Sequence, residues 1–217
     1  MLNLYLVRHG WTRWHTERRV AGWADVPLDE RGQAEAAATA RWLAQHCHDR
    51  PLALICSPVL RARQTAEVIS AVFAPSLPIE FDEGIGDTRV TGWQGRLVDD
   101  IEANDPTWSR FFENPANFRF PAGETLREVQ ARVLTAVETL RRRFERGEVI
   151  LVSHADPLRS LIAHFMQMDV AHLGRLHVET GSISCLSLPS DGSPESFSRP
   201  RLEFLNLTEH ARSLPHD

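Results

Sequence analysis

The 217-residue chain contains no lysine, so all 24 of its Lys/Arg cations are arginine. That absence removes a Schiff-base lysine and the lysine of a nucleotide-binding P-loop from its chemistry. Cysteine is scarce as well. Cys47, Cys56 and Cys185 form an odd set without paired spacing. Such a set argues against a disulfide framework or a thiolate zinc site and suggests a reducing compartment. No run approaches the roughly 20 apolar residues that cross a bilayer. Met1-Leu2-Asn3-Leu4-Tyr5 lacks the basic-then-apolar pattern of a signal peptide. The expected setting is cytoplasmic, without a membrane partner. A net charge of −5 weighs against a nucleic-acid partner, because phosphate-backbone affinity is built from accumulated positive charge.

What is present suits one domain over residues 1–217, with 42% hydrophobic residues to fill a core. Short apolar runs at Leu2–Val7, Leu52–Cys56, Ile79–Phe81 and Val149–Val152 read as strands. Ser182–Leu188 and Arg201–Leu205 read as closing strands, separated by a Ser/Pro/Gly-rich loop over Pro189–Pro200. Helical patterns fill Gln33–Gln45 and Arg61–Phe73. Thr125-Leu126-Arg127-Glu128 matches a capping box opening a helix to about Arg146. Asp156, followed by Pro157, is expected to cap the next helix. Residues 88–122 carry prolines and aromatics and look like an irregular excursion. Strands alternating with helices predict an α/β three-layer sandwich, a mostly parallel sheet with helices on both faces. Ligand sites of such sheets lie at the carboxyl ends of the strands.

Three motifs fall at those ends. Arg8-His9-Gly10, with Thr12 after it, follows the first strand. There a guanidinium can hold a phosphate bidentately while an imidazole nitrogen faces it. Ser57-Pro58-Val59-Leu60-Arg61 follows the second. Val152-Ser153-His154-Ala155 closes another. A phosphoryl group in transfer spreads charge over its equatorial oxygens, so several fixed cations and donors must surround it. Two arginines and two histidines at neighbouring strand ends meet that need without a metal, and the remaining histidines form no metal-ligand motif.

The motifs in this order resemble the histidine phosphatase superfamily, which includes the cofactor-dependent phosphoglycerate mutases. The resemblance rests on Arg8 to Thr12, on Gly22-Trp23-Ala24-Asp25-Val26-Pro27-Leu28, on Ser57 to Ala66, on Gly123-Glu124-Thr125 and on Ser153-His154. It implies that His9 attacks phosphorus in line and becomes phosphohistidine. Arg8, Arg61 and His154 would complete the phosphate pocket, with Gly22 and Ala155 as further contacts and no cofactor. The family also uses a carboxylic acid on the leaving oxygen. Counting back from Gly92-Trp93-Gln94-Gly95 reaches Asp87, where relatives have glutamate; Glu83 is the competitor in a shifted register. His15 stands where the family has a phosphate-binding asparagine. It could donate to phosphate or sit exposed in its loop.

The activity so implied is metal-independent hydrolysis of a small phosphorylated metabolite. Two alternatives stand beside it. A phosphoglycerate mutase is disfavoured because Ala21 and Val90 replace the mutase threonine and tyrosine, and because the excursion lacks its lysine and paired arginines. A catalytically weak phosphate-binding regulator is the other. Residues 88–122 are expected to act as a lid selecting the leaving group, with Trp93, Trp108, Phe111 and Phe112 as contacts. Trp11, Trp14 and Trp23 line a pocket or pack the core. A homodimer is compatible with the sequence but not specified by it.

Overall fold

The computed structural model describes residues 1–189 and 199–208, so most of the Pro189–Pro200 loop lies outside the described residues. In chain order the elements are β1 (Leu2–Arg8), α1 (Arg13–Thr16), α2 (Glu30–His46), β2 (Ala53–Cys56), α3 (Leu60–Ala71), β3 (Ile79–Phe81), α4 (Val98–Asn104) and α5 (Trp108–Glu113). Then come α6 (Leu126–Arg143), β4 (Gly147–Ser153), α7 (Ala155–Phe165), β5 (Ile183–Leu188) and β6 (Arg201–Leu207). One sheet runs β3-β2-β4-β1-β5-β6. Its first four strands are mutually parallel, and β5 and β6 add an antiparallel edge. This is the expected mostly parallel α/β sandwich.

Alternation along each strand builds the two faces, because successive side chains point to opposite sides. Leu4 and Leu6 of β1, with Val149 and Leu151 of β4, pack on α6 and α7. Tyr5 and Val7, with Ile150 and Val152, join Ala40 and Leu43 of α2 and Ala62, Ala66 and Ile69 of α3 on the other side. Each of these fully buried Leu, Ile and Val side chains contributes on the order of 1.5–3 kcal/mol. The apolar positions Val129, Val133, Val137 and Leu140 repeat at helical spacing, so α6 lays one stripe on the sheet. Its start is as expected: Thr125 accepts from Glu128 N at 3.2 Å, and the Glu128 carboxylate accepts from Thr125 N at 2.8 Å. Its end differs, since the helix stops at Arg143 with three arginines in the last turn, where cations suit the helix dipole.

Two sequence expectations need correction. The N-cap of α7 is His154, not Asp156, which is its second residue. The chain turns directly from strand to helix, so the histidine itself occupies the cap. The second concerns Trp93, which is only 3% exposed and packs against Trp108, Phe118 and Phe120 in a core of the excursion. Its indole N–H is satisfied by Asp105 at 2.9 Å, so the ring is committed to packing rather than to a ligand. The excursion therefore has its own small core, on which α4 and α5 sit through Ile101, Trp108 and Phe111.

Candidate active site

Strand pairing brings the three motifs together. Arg8 pairs with Ser153 across β1 and β4, and Cys56 pairs with Val152 across β2 and β4. The next residues, His9, His154 and Ser57, therefore leave the carboxyl edge of the sheet side by side. The two histidine rings lie 5.0 Å apart between centroids. Close backbone approach is needed where the chain leaves β1. A Cβ on Gly10 would lie 2.3 Å from the Gly32 carbonyl oxygen. Gly10→Ala is thus expected to destabilise by about 3 kcal/mol, the upper range for overpacking against backbone. Urea unfolding checks this, and an unchanged midpoint would contradict it.

The hydrogen bonds of His9 define its tautomer. Nδ1 lies 2.7 Å from the Gly10 carbonyl, which can only accept, so Nδ1 carries the hydrogen. Nε2 accepts from Arg61 Nε at 3.1 Å and is therefore bare. Burial, aided by Arg61, His154, Arg8 and His15, holds the imidazole pKa well below its ordinary value. His9 is a neutral base with its lone pair directed at a cation.

Arg61 is fully buried, yet every nitrogen is engaged. Besides His9, it donates to the carbonyls of Ala24 at 3.1 Å and Gly22 at 2.7 Å, and to Asp87 Oδ2 at 2.6 Å. The Gly22–Pro27 segment thus meets the site through backbone carbonyls that fix the guanidinium, and Gly22 has a positive φ of 49° that suits glycine. Arg8 donates to Val178 O at 2.7 Å and to His15 Nε2 at 3.2 Å. Burial and the nearby Arg159 lower its pKa to about 10. His15 contacts Thr12 Oγ1 through Nδ1 at 2.9 Å, and burial and Arg8 lower its pKa to about 4. His15 faces Arg8 through Nε2 and the Thr12 N–H, at 3.1 Å, through Nδ1, so it is tied into the site rather than free in its loop.

His154 is buried, and its Nε2 lies 2.8 Å from Ser57 Oγ. With the serine hydroxyl donating, Nδ1 carries the hydrogen. That atom has no partner and stands 3.6 Å from Asp87 Oδ2. Arg8 Nε is likewise buried without a partner. Buried donors left unpaired cost about 1–3 kcal/mol each, which an incoming anion would recover. Ala155, the first residue of α7, lies in the turn whose amides lack intrahelical acceptors.

The structure separates the two candidate carboxylates. Asp87 is 18% exposed and touches both Arg61 and His154, whereas Glu83 is 75% exposed and pairs with Arg89 at the surface. Burial pushes the Asp87 pKa up, against the pull of Arg61, and Asp156 adds to the rise. Among the described residues, no group of three or more His, Cys, Asp or Glu is arranged to hold a metal ion. Likewise among them, no helix is long and apolar enough to cross a membrane.

These shifts predict how stability responds to acid. His9, His154 and His15 all have folded pKa values below the unfolded value of about 6.5. The unfolded chain therefore takes up protons first, so their contribution is full above that pH and declines as pH falls below it. Asp87, being raised, acts in the opposite sense, but it is one group against three. The urea midpoint is expected to drop between about pH 7 and pH 5. A flat or rising midpoint over that window would contradict the buried, neutral histidines.

Fold and side-chain placement together define an α/β protein whose carboxyl sheet edge gathers a buried, neutral histidine with two arginines and a second histidine. The family model for histidine phosphatase superfamily (branch 1) matches residues 4–196. The chain belongs to that superfamily. It is 31% identical over 186 residues to a probable phosphoglycerate mutase GpmB of Shigella boydii serotype 18, spanning 85% of this chain and 84% of that one. Among solved structures, Bacillus stearothermophilus YhfR is similar at TM-score 0.84 and 30% identity, covering 97% of this chain and 99% of that one. A mycobacterial glucosyl-3-phosphoglycerate phosphatase in complex with VO3 is similar at TM-score 0.80 and 26% identity, covering 95% and 99%.

Proposed function

We propose that this protein is a metal-independent phosphomonoesterase acting on a small phosphorylated metabolite through phosphohistidine on His9. The observation that carries this reading is the bare Nε2 of a buried neutral imidazole, aimed among Arg8, Arg61 and His154. A phosphate oxygen would replace His9 as the acceptor from Arg61 Nε and free the lone pair for attack. The P–N bond forms as the ester P–O bond breaks, and Asp87 gives its proton to the leaving oxygen. Water then attacks phosphorus while the Asp87 carboxylate takes its proton. The P–N bond breaks, and inorganic phosphate leaves with His9 restored. Arg8, Arg61, the His154 Nδ1–H and the first amides of α7 at Ala155 neutralise the equatorial oxygens. His15 and Gly22 hold Arg8 and Arg61 for that task.

The name of the Shigella relative favours a second reading, phosphoglycerate mutase. Against it stands the use of three of the four cations in residues 88–122. Arg96 is tied to Asp100 and Asp105, Arg119 to Glu128, and Arg89 lies over the Trp23 ring and pairs with Glu83. In this reading the excursion selects the leaving group through its surface rather than through Trp93. Phosphate release from an aryl phosphate in excess EDTA tests the proposal. Chelation-resistant turnover supports it, whereas phosphoryl exchange on 3-phosphoglycerate with its bisphosphate activator, without net release, would replace it by the mutase.

A further inference from the structure

We propose that Arg132 and Trp23 are positioning residues that clamp the backbone of Asp87, so that its short carboxyl reaches the leaving oxygen. The inference rests on the phosphatase reading and concerns groups that touch neither phosphate nor His9. Arg132 projects from α6. Its Nη1 donates to the carbonyls of Gly84 and Gly86, both at 2.8 Å, and its Nη2 to the carbonyl of Asp87 at 2.8 Å. The same guanidinium meets Glu124 twice, through Nε at 3.0 Å and Nη2 at 2.8 Å. Glu124 in turn accepts from Arg89 N at 2.8 Å, and its own N–H donates to Arg89 O at 3.0 Å. One ion pair therefore tethers the chain at residues 84, 86, 87 and 89.

Trp23 closes on the same point from the other side. Its indole Nε1 donates to Asp87 O at 2.5 Å. The ring lies so close to Gly86 that a Cβ there would meet Trp23 Cζ2 at 2.3 Å. Trp23 belongs to the segment whose neighbours Gly22 and Ala24 hold Arg61. Acid and phosphate-binding arginine are thus referenced to one stretch of chain.

The reason for such a clamp lies in side-chain length. An aspartate has two rotatable bonds, so its carboxyl goes where its backbone is placed. In the free protein Asp87 Oδ2 leans on Arg61, and a substrate would draw that guanidinium to its own oxygens. What then remains is the contact of Oδ1 with the adjacent Thr88 N at 2.8 Å and the longer approach of Oδ2 to His154 Nδ1 at 3.6 Å, together with the backbone tethers. A partly buried ion pair with every donor used rigidifies its surroundings, whereas one left half satisfied would not persist. Misplacement of a reacting group by about 1 Å can cost on the order of a hundredfold in rate.

The test uses Trp23→Phe, which removes one N–H and keeps most of the ring, and Glu124→Gln, which weakens the grip on Arg132. Each is compared with the unsubstituted protein on an alkyl phosphate, whose leaving oxygen needs a proton, and on nitrophenyl phosphate, which does not. The expected loss of kcat/KM, which reports phosphoryl transfer to His9 and not the hydrolysis step common to both esters, is at least about tenfold larger on the alkyl ester. In an Asp87→Asn background, Trp23→Phe is expected to cause no further loss, because its route to the chemistry is gone. Equal loss on both esters, loss that adds to that of Asp87→Asn, or no loss at all would overturn the clamp while leaving the phosphatase reading intact. Absence of His9-dependent turnover in the unsubstituted protein would overturn both.

Discussion

His9→Ala is expected to abolish turnover, lowering kcat by a factor on the order of 10⁴ or more on an aryl phosphate. A good leaving group does not spare this variant, because the missing element is the electron pair that attacks phosphorus. Neither neighbour can substitute. His154 presents a Nδ1 that carries hydrogen when Ser57 donates to its Nε2, and His15 spends its Nε2 on Arg8. Protein quenched in alkali during turnover should carry one acid-labile phosphoryl group, absent from His9→Ala. The variant should still gain thermal stability from vanadate, since Arg8, Arg61 and His154 remain to bind it. Residual kcat above about 1% of the unsubstituted value would rule out His9 as the sole nucleophile.

Asp87→Asn carries the second largest effect, and its signature is selectivity. An amide keeps the shape but cannot deliver a proton. The expected loss of kcat/KM, set by transfer to His9, is about 10²–10⁴ on an alkyl phosphate and much smaller on nitrophenyl phosphate. The pH profile adds a separate check. The competent free enzyme has His9 neutral and Asp87 protonated. His9 is depressed, so it is neutral down to pH values well below 6.5. Asp87 is raised, so its proton persists above the usual carboxylate range and is lost as pH climbs through the folded value. On the alkyl ester, kcat/KM should therefore fall with rising pH along a limb that Asp87→Asn removes. Persistence of that limb in the variant would assign it to another group.

Much of this site is legible in the chain because its parts are local. Arg8-His9-Gly10, Ser57 to Ala66 and Ser153-His154 each pair an apolar strand with the residues that leave its end, and the alternation of elements makes those ends neighbours. The Thr125 capping box likewise sets the start of α6 from four adjacent residues. Where several long-range placements compete, sequence alone could not choose. The count from Trp93 reaches Asp87, but a shifted register would reach Glu83. Only packing leaves one 18% and the other 75% exposed, with the former against Arg61. Trp93 had the composition of a ligand contact, yet the aromatics of 108–120 fold back over it. Asp156 looked like a cap until the abrupt strand-to-helix turn gave that place to His154.

The sequence by itself determined the fold class and which histidines and arginines the carboxyl edge of the sheet gathers into the candidate site, because periodicity and contiguous motifs encode them. Tertiary structure alone decided the tautomer of His9, the burial that keeps it neutral and the hydrogen bonds of Trp23 and Arg132 to the Asp87 carbonyl. Each of these depends on groups distant in the chain: Arg61 lies 52 residues from His9, and Arg132 lies 45 from Asp87. Protonation state and aim are properties of the field and contacts around a side chain, and those exist only once the sheet has brought its neighbours within reach.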